Sequence, residues 1–110
     1  MQPDKNDLEQ ITHPGTVLLN RFMRPEKISI NKLARDLDVP PNRIHAIIHG
    51  KRSITADTAM RLAVYFDVAA ESWLGLQLDY DLRVAERQYG TTIIREVRRR
   101  KKLPVLPDKS

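Results

Sequence analysis

Between Ile28 and Arg52 the chain reads as two short helices joined by a tight turn, and that arrangement constrains the fold more than any other stretch. Ser29 is placed as the N-cap of the first helix, its hydroxyl accepting from an orphan amide of the first turn. Leu33, Ala34 and Leu37, at i, i+1 and i+4, turn inward, and the small side chain of Ala34 lets a second helix cross closely. Asp38 then falls where a left-handed residue is needed and Val39 plugs the corner. Pro41 suits the first turn of the next helix, because its missing N–H would have had no partner there, and Gly50 ends that helix.

The two faces of the second helix differ in chemistry. Ile44, Ile47 and Ile48 recur at i, i+3 and i+4 and are expected to face inward, which leaves Asn42, His45, Ala46 and His49 outside with Arg43 at the flank. An outer face of amide, imidazole, methyl and guanidinium suits base edges. Asn bonds adenine in two places, Arg does the same with guanine, and Ala touches a thymine methyl, so the helix fits a major groove.

The rest of the chain reads as further helix, giving an all-α, five-helix helix-turn-helix domain with a basic C-terminal tail. His13-Pro14-Gly15 opens helix 1, whose stripe is Val17, Leu18, Leu19 and Phe22 before Pro25 stops it. Thr55 is the expected N-cap of helix 4, with Asp57 in its first turn and Ala59, Leu62, Ala63 and Phe66 buried. Helix 5 is expected from about Ala70 to Arg87, with Gly75 as its weak point. Thr91 to Val97, rich in β-branched residues, reads equally as a short strand or as more of helix 5. The expected divisions are a flexible arm at 1–12, a DNA-binding and dimerisation domain at 13–88 with the helix-turn-helix at 29–50, and a basic, partly disordered tail at 89–110.

Charge follows the same division. Residues 1–92 hold 12 basic and 12 acidic side chains, so the whole net charge of +5 sits in the tail, where Arg98 to Lys102 is an unbroken run of cations. Within the neutral part, residues 29–52 carry net +3 and residues 53–92 net −3, a polarity that phosphates would attract on one side and repel on the other. With no cysteine, disulfides and thiolate metal sites are excluded. Asp4, Asp7 and Glu9 do not suit a secretory signal, so a soluble cytoplasmic protein that does not enter membranes is expected.

Four ordered segments resemble the HigA-type, or VapI-like, antitoxins of the XRE group of lambda-repressor-like helix-turn-helix proteins. They are His13-Pro14-Gly15 with Phe22 and Pro25; Ile28-Ser29 to Leu37-Asp38-Val39-Pro40; Arg43-Ile44 to Gly50-Lys51-Arg52; and Ile54 to Leu62 with Trp73-Leu74, Gln77 and Tyr80-Asp81-Leu82. Asp38 stands where that family usually has Gly, and Ala69-Ala70 replaces its usual hydroxyl cap. The resemblance implies a homodimer that binds a palindromic operator in double-stranded DNA at its own operon and silences a HigB-type toxin, a ribosome-dependent mRNA endonuclease. It also implies that Pro41, Asn42, Arg43 and Ala46 meet base edges with His45 beside them, while Ser29, His49, Lys51 and Arg52 hold phosphates. Lys32 is a further candidate for phosphate.

Each of these residues has a plainer reading. His45 and His49 stand at i, i+4 like a metal pair, yet Ala46 occupies the place of a zincin glutamate and no further ligand completes a set, so neither metal nor cofactor is expected. Arg43 has Asp57 as an alternative partner. Trp73, Tyr80 and Leu82 are read as core or dimer contacts rather than as a cofactor box. A stand-alone XRE repressor without a toxin and a protein-binding module that has lost DNA recognition remain as alternatives. An enzyme is disfavoured, since no nucleophile, base and oxyanion constellation is visible.

Overall fold

The computed structural model describes residues 11–100, and among them there are five helical elements and no strand. Helix α1 begins as α-helix at Pro14–Val17 and continues as a π-helical turn over Leu18–Met23; α2 is Ile30–Leu37, α3 Pro41–Ile48, α4 Ala56–Phe66 and α5 Ala70–Glu96. Residues 1–10 of the expected arm, and Lys101 and Lys102 of the cationic run with the rest of the tail, lie outside the described residues.

The π turn adds Met23 to the expected stripe of α1. An α-helical period brings residues three and four apart onto one face, whereas the wider π turn aligns positions five apart. Leu18 and Met23 are accordingly the two buried side chains of that turn, and Val17, Leu19 and Phe22 are only partly covered. Beyond Met23 the chain leaves the helix through a turn that contains Pro25, with Lys27 at a positive φ of 56°.

The helix-turn-helix forms as its residues dictate. The Ser29 hydroxyl accepts from the Lys32 amide at 3.1 Å, and Leu33, Ala34 and Leu37 are buried. Asp38 adopts φ 60°, ψ 49°, the left-handed conformation that ends α2, and the Val39 amide donates back to the Ala34 carbonyl at 3.0 Å. Ile44 and Ile47 of α3 are fully buried and Ile48 is half-buried; Gly50, at φ 72°, closes the helix.

One glycine sets the depth at which α3 sits. A Cβ added to Gly15 would overlap the Ile47 carbonyl oxygen and lie 2.9 Å from Ile48 Cα, so α1 meets the C-terminal end of α3 backbone to backbone. His13 fixes the start of α1 beside this seam. Its Nδ1 accepts from the Gly15 amide at 2.9 Å, and its ring stands edge-on to Tyr80 of α5, 4.8 Å between centroids.

Burial pushes the His13 pKa below the ordinary 6.5, while the charge of Asp81 acts in the other direction. Protonation also removes the lone pair that accepts from Gly15. The stability this cap contributes is therefore complete above pH 6.5 and is lost as pH falls through the lowered native value. Thermal unfolding between about pH 7.5 and 5 should show a steeper acid decline for the unaltered protein than for His13→Asn, whose amide oxygen accepts the same bond without titrating.

Two starts differ from expectation in detail. Thr55 is the N-cap of α4, but its hydroxyl makes no capping bond, and only its carbonyl enters the helix by accepting from Ala59 at 2.8 Å. Helix α5 begins at Ala70 without any side-chain cap, so its start depends on packing rather than on a hydroxyl. Its other end resolves the open reading of Thr91 to Val97. The helix crosses Gly90 and ends at Glu96, leaving no strand there. A Cβ at Gly75 or Gly90 would meet nothing within 4 Å, so neither glycine marks a crossing.

The core gathers Leu18, Met23, Leu33, Ala34, Leu37, Ile44, Ile47, Ala59, Leu62 and Trp73. Trp73 is 1 % exposed, with its indole against Phe22 at 4.8 Å between centroids and Phe66 at 6.3 Å. This corrects its assignment as a dimer contact, because the side chain is consumed inside one subunit. Gln77, one turn along α5, is buried as well; its Oε1 accepts from the Ile54 amide at 2.8 Å and its Nε2 donates to Asp81 at 2.9 Å. The bond satisfies a backbone donor in the loop before α4 and ties that loop to α5.

Candidate nucleic-acid interface

Packing decides which side chains of α3 are free. Ile44 and Ile47 hold the inner face against the core, so Pro41, Asn42, His45 and His49 are exposed and Ala46 is half-covered. Ser29, Ile30, Asn31, Pro41, Asn42 and His45 line one shallow concavity where the starts of α2 and α3 meet. Lys51 and Arg52 extend this surface beyond the end of α3, both exposed. The Ser29 hydroxyl accepts the Lys32 amide as a cap, which leaves its own O–H free to donate outward. The face thus offers an amide, a hydroxyl, two imidazoles and two cations that have no ion pair among the described residues, along one exposed helix and the loop after it.

The two histidines act on one another. Their rings stack at 4.1 Å and 27°, and His49 Nδ1 lies 2.8 Å from the His45 carbonyl oxygen. With Nδ1–H donating to that carbonyl, Nε2 is the ring nitrogen available to a further partner. The stacked rings do not converge on a common point as metal ligands do, and among the described residues no group of three or more His, Cys, Asp or Glu is placed to hold a metal.

Two of the expected DNA contacts are engaged elsewhere. Lys32 Nζ pairs with Asp36 at 3.0 Å, and Asp36 also accepts from the Tyr65 hydroxyl at 2.8 Å. The Tyr65 bond, then that of Lys32, holds the Asp36 carboxyl below its ordinary pKa. Arg43 Nη1 donates to Asp57 Oδ2 at 2.8 Å, and the same oxygen accepts from Arg61 Nε at 3.0 Å. Arg61 first and Arg43 second lower the Asp57 pKa against a partial opposing effect of desolvation. Arg61 also donates to the Leu37 carbonyl at 2.9 Å, satisfying the end of α2. The alternative reading of Arg43, as a partner of Asp57, is therefore the one the fold adopts, and the pattern of charges in the sequence did not reveal the second arginine.

The expected dimer residues separate into buried and free. Tyr80 is half-covered by His13, and Leu82 is 54 % exposed. Leu78, Leu82, Tyr89 and Ile93 are all exposed large side chains of α5. At 100° per residue they fall within about 60° of one another, an apolar stripe along a helix about 40 Å long.

The comparisons with known proteins agree with this geometry. Residues 19–73 match the family described as helix-turn-helix. Virulence-associated protein I of Dichelobacter nodosus is 46 % identical over 83 residues, 76 % of each chain. Among solved structures, an addiction module antidote protein of the HigA family from Coxiella burnetii aligns at TM-score 0.76 and 45 % identity, over 81 % of this chain and 97 % of that one. The Pseudomonas aeruginosa antitoxin HigA, solved with the higBA promoter, aligns at TM-score 0.78 and 37 % identity over the same shares. The helix-turn-helix, the glycine-seated α1 and the long α5 occur here within a chain that belongs to the XRE group of lambda-repressor-like helix-turn-helix proteins, in its HigA-type, VapI-like branch.

Proposed function

We propose that this protein is a sequence-specific DNA-binding repressor of its own operon and the antitoxin of a type II toxin-antitoxin pair. The observation that carries the reading is the free outer face of α3, with Asn42 and His45 exposed beside Lys51 and Arg52, on a fold 37 % identical to an antitoxin solved with its promoter. In this reading Pro41, Asn42, His45 and Ala46 meet base edges, and Ser29, His49, Lys51 and Arg52 hold phosphates. Arg43 and Lys32 stay with Asp57 and Asp36. A homodimer paired through the Leu78, Leu82, Tyr89 and Ile93 stripe sets two α3 helices about 34 Å apart, one DNA turn, on a palindromic operator. The partner it neutralises is a HigB-type, ribosome-dependent mRNA endonuclease. The site is one for binding, with no catalytic role.

The test is co-expression with the neighbouring reading frame, followed by size exclusion and titration of the operon's promoter. A stable two-protein complex that binds the promoter supports the reading. Promoter binding with no co-purifying partner favours a stand-alone repressor. A partner without promoter binding removes the DNA-binding half of the proposal. Within it, Asn42→Ala should weaken operator binding by about 1–3 kcal/mol, roughly 5- to 150-fold, while leaving thermal stability and affinity for unrelated DNA unchanged, as read by fluorescence anisotropy. Equal weakening on all sequences would reassign Asn42 to the backbone.

Among the described residues no helix is long and apolar enough to cross a membrane.

A further inference from the structure

The Arg43–Asp57–Arg61 cluster is not explained by stability. Asp57 is at the surface, with 55 % of its side chain exposed, and an ion pair so open to solvent and salt adds little to stability. Ile44 and Ile47 of α3 and Ala59 and Leu62 of α4 are already buried in the common core. Its consequence lies instead in where a cation is made available. Arg43 follows Asn42 directly and stands three residues before Ala46, so it flanks the reading face of α3. A helix in the major groove has the phosphate walls beside its flanks, and a free guanidinium there binds any sequence. In this structure it is not free. Its side chain is only 23 % exposed, Nε is buried without a partner, and Nη1 is taken by Asp57. Arg61, which also closes the end of α2, bonds the same oxygen and orients the carboxylate toward α3.

We propose that Asp57 is a specificity-determining residue that acts through Arg43, holding its guanidinium against the protein and so withholding from the phosphates a cation blind to sequence. The inference rests on the DNA-binding reading above. Discrimination is a difference between two affinities, and it improves when the nonspecific one is lowered. Asp57 thus positions a neighbour and touches no base.

The full-length chain would be titrated with its own promoter DNA and with a scrambled duplex of equal length, each from about 50 to 200 mM salt. For Asp57→Asn we expect binding to the scrambled duplex to tighten by roughly five- to tenfold, and the log–log salt slope to steepen by about one, the signature of one added phosphate contact. The ratio of promoter to scrambled affinity should fall accordingly. Adding Arg43→Gln to Asp57→Asn should restore both slope and ratio, and Asp57→Glu should leave them near those of the unaltered protein. An unchanged slope and ratio in folded Asp57→Asn overturns the proposal, as does a double variant that keeps the steeper slope. If Asp57→Asn and Asp57→Ser both fail to unfold cooperatively, Asp57 is a structural brace and the proposal falls. An unaltered protein that does not prefer its promoter to the scrambled duplex overturns the DNA-binding reading, and this inference with it.

Discussion

Gly15→Ala should abolish the native fold or lower its melting temperature by more than about 15 °C, the largest effect expected of any single methyl group in this chain. The added Cβ would overlap the Ile47 carbonyl oxygen and come within 2.6 Å of the Ile47 carbonyl carbon. Both belong to backbone, so no side-chain rotation relieves the overlap, and α1 has to move away from α3. That separation exposes Leu18 and Ile47, both fully buried. A cost above about 3 kcal/mol is a large fraction of the 5–15 kcal/mol typical of a small domain. Operator binding should be lost in parallel, since the seam sets where the reading helix sits. Gly75→Ala and Gly90→Ala provide the contrast, because a Cβ at either place meets nothing within 4 Å. Each should stabilise α5 by roughly 0.5–1 kcal/mol through helix propensity alone. A Gly15→Ala protein that melts like the unaltered one would show that α1 and α3 do not meet backbone to backbone.

Trp73→Ala is the second large effect, about 3–5 kcal/mol of lost stability measured by urea unfolding. The indole is 1 % exposed and touches Phe22 from α1 and Phe66 from α4, so its removal leaves a cavity where three helices meet. Trp73→Phe should cost much less. It fills most of the space, and the indole Nε1 has no hydrogen-bond partner to lose. A small effect of Trp73→Ala, together with loss of the dimer on size exclusion, would return Trp73 to the subunit interface from which its burial removes it.

The contrast between these two residues shows what was legible before folding. Both were recognisable in the linear chain, Gly15 as part of a helix start and Trp73 as core or dimer contact, but neither could be given its neighbour. Gln77 was part of a family pattern, and only the fold supplies its reason, a backbone amide 23 residues earlier that would otherwise be buried without an acceptor. The expected stripe of α1 omits Met23 for a related cause. A π turn is selected by what the helix packs on, and Leu18 and Met23 carry no local sign of a spacing of five.

Local chemistry by itself determined the helix-turn-helix. Ser29 caps because its hydroxyl reaches the next turn, Asp38 accepts the left-handed corner, Pro41 opens α3 without a wasted donor, and the spacing of Ile44 and Ile47 assigns the inner and outer faces. These depend on residues at most a few positions apart, so a linear reading contains them. Tertiary structure alone decided the depth at which α1 seats on α3 and the commitment of Arg43 to Asp57. For the seam and the ion pair the deciding partner lies far along the chain, and a side chain with two possible partners is assigned by which one the fold brings within 3 Å.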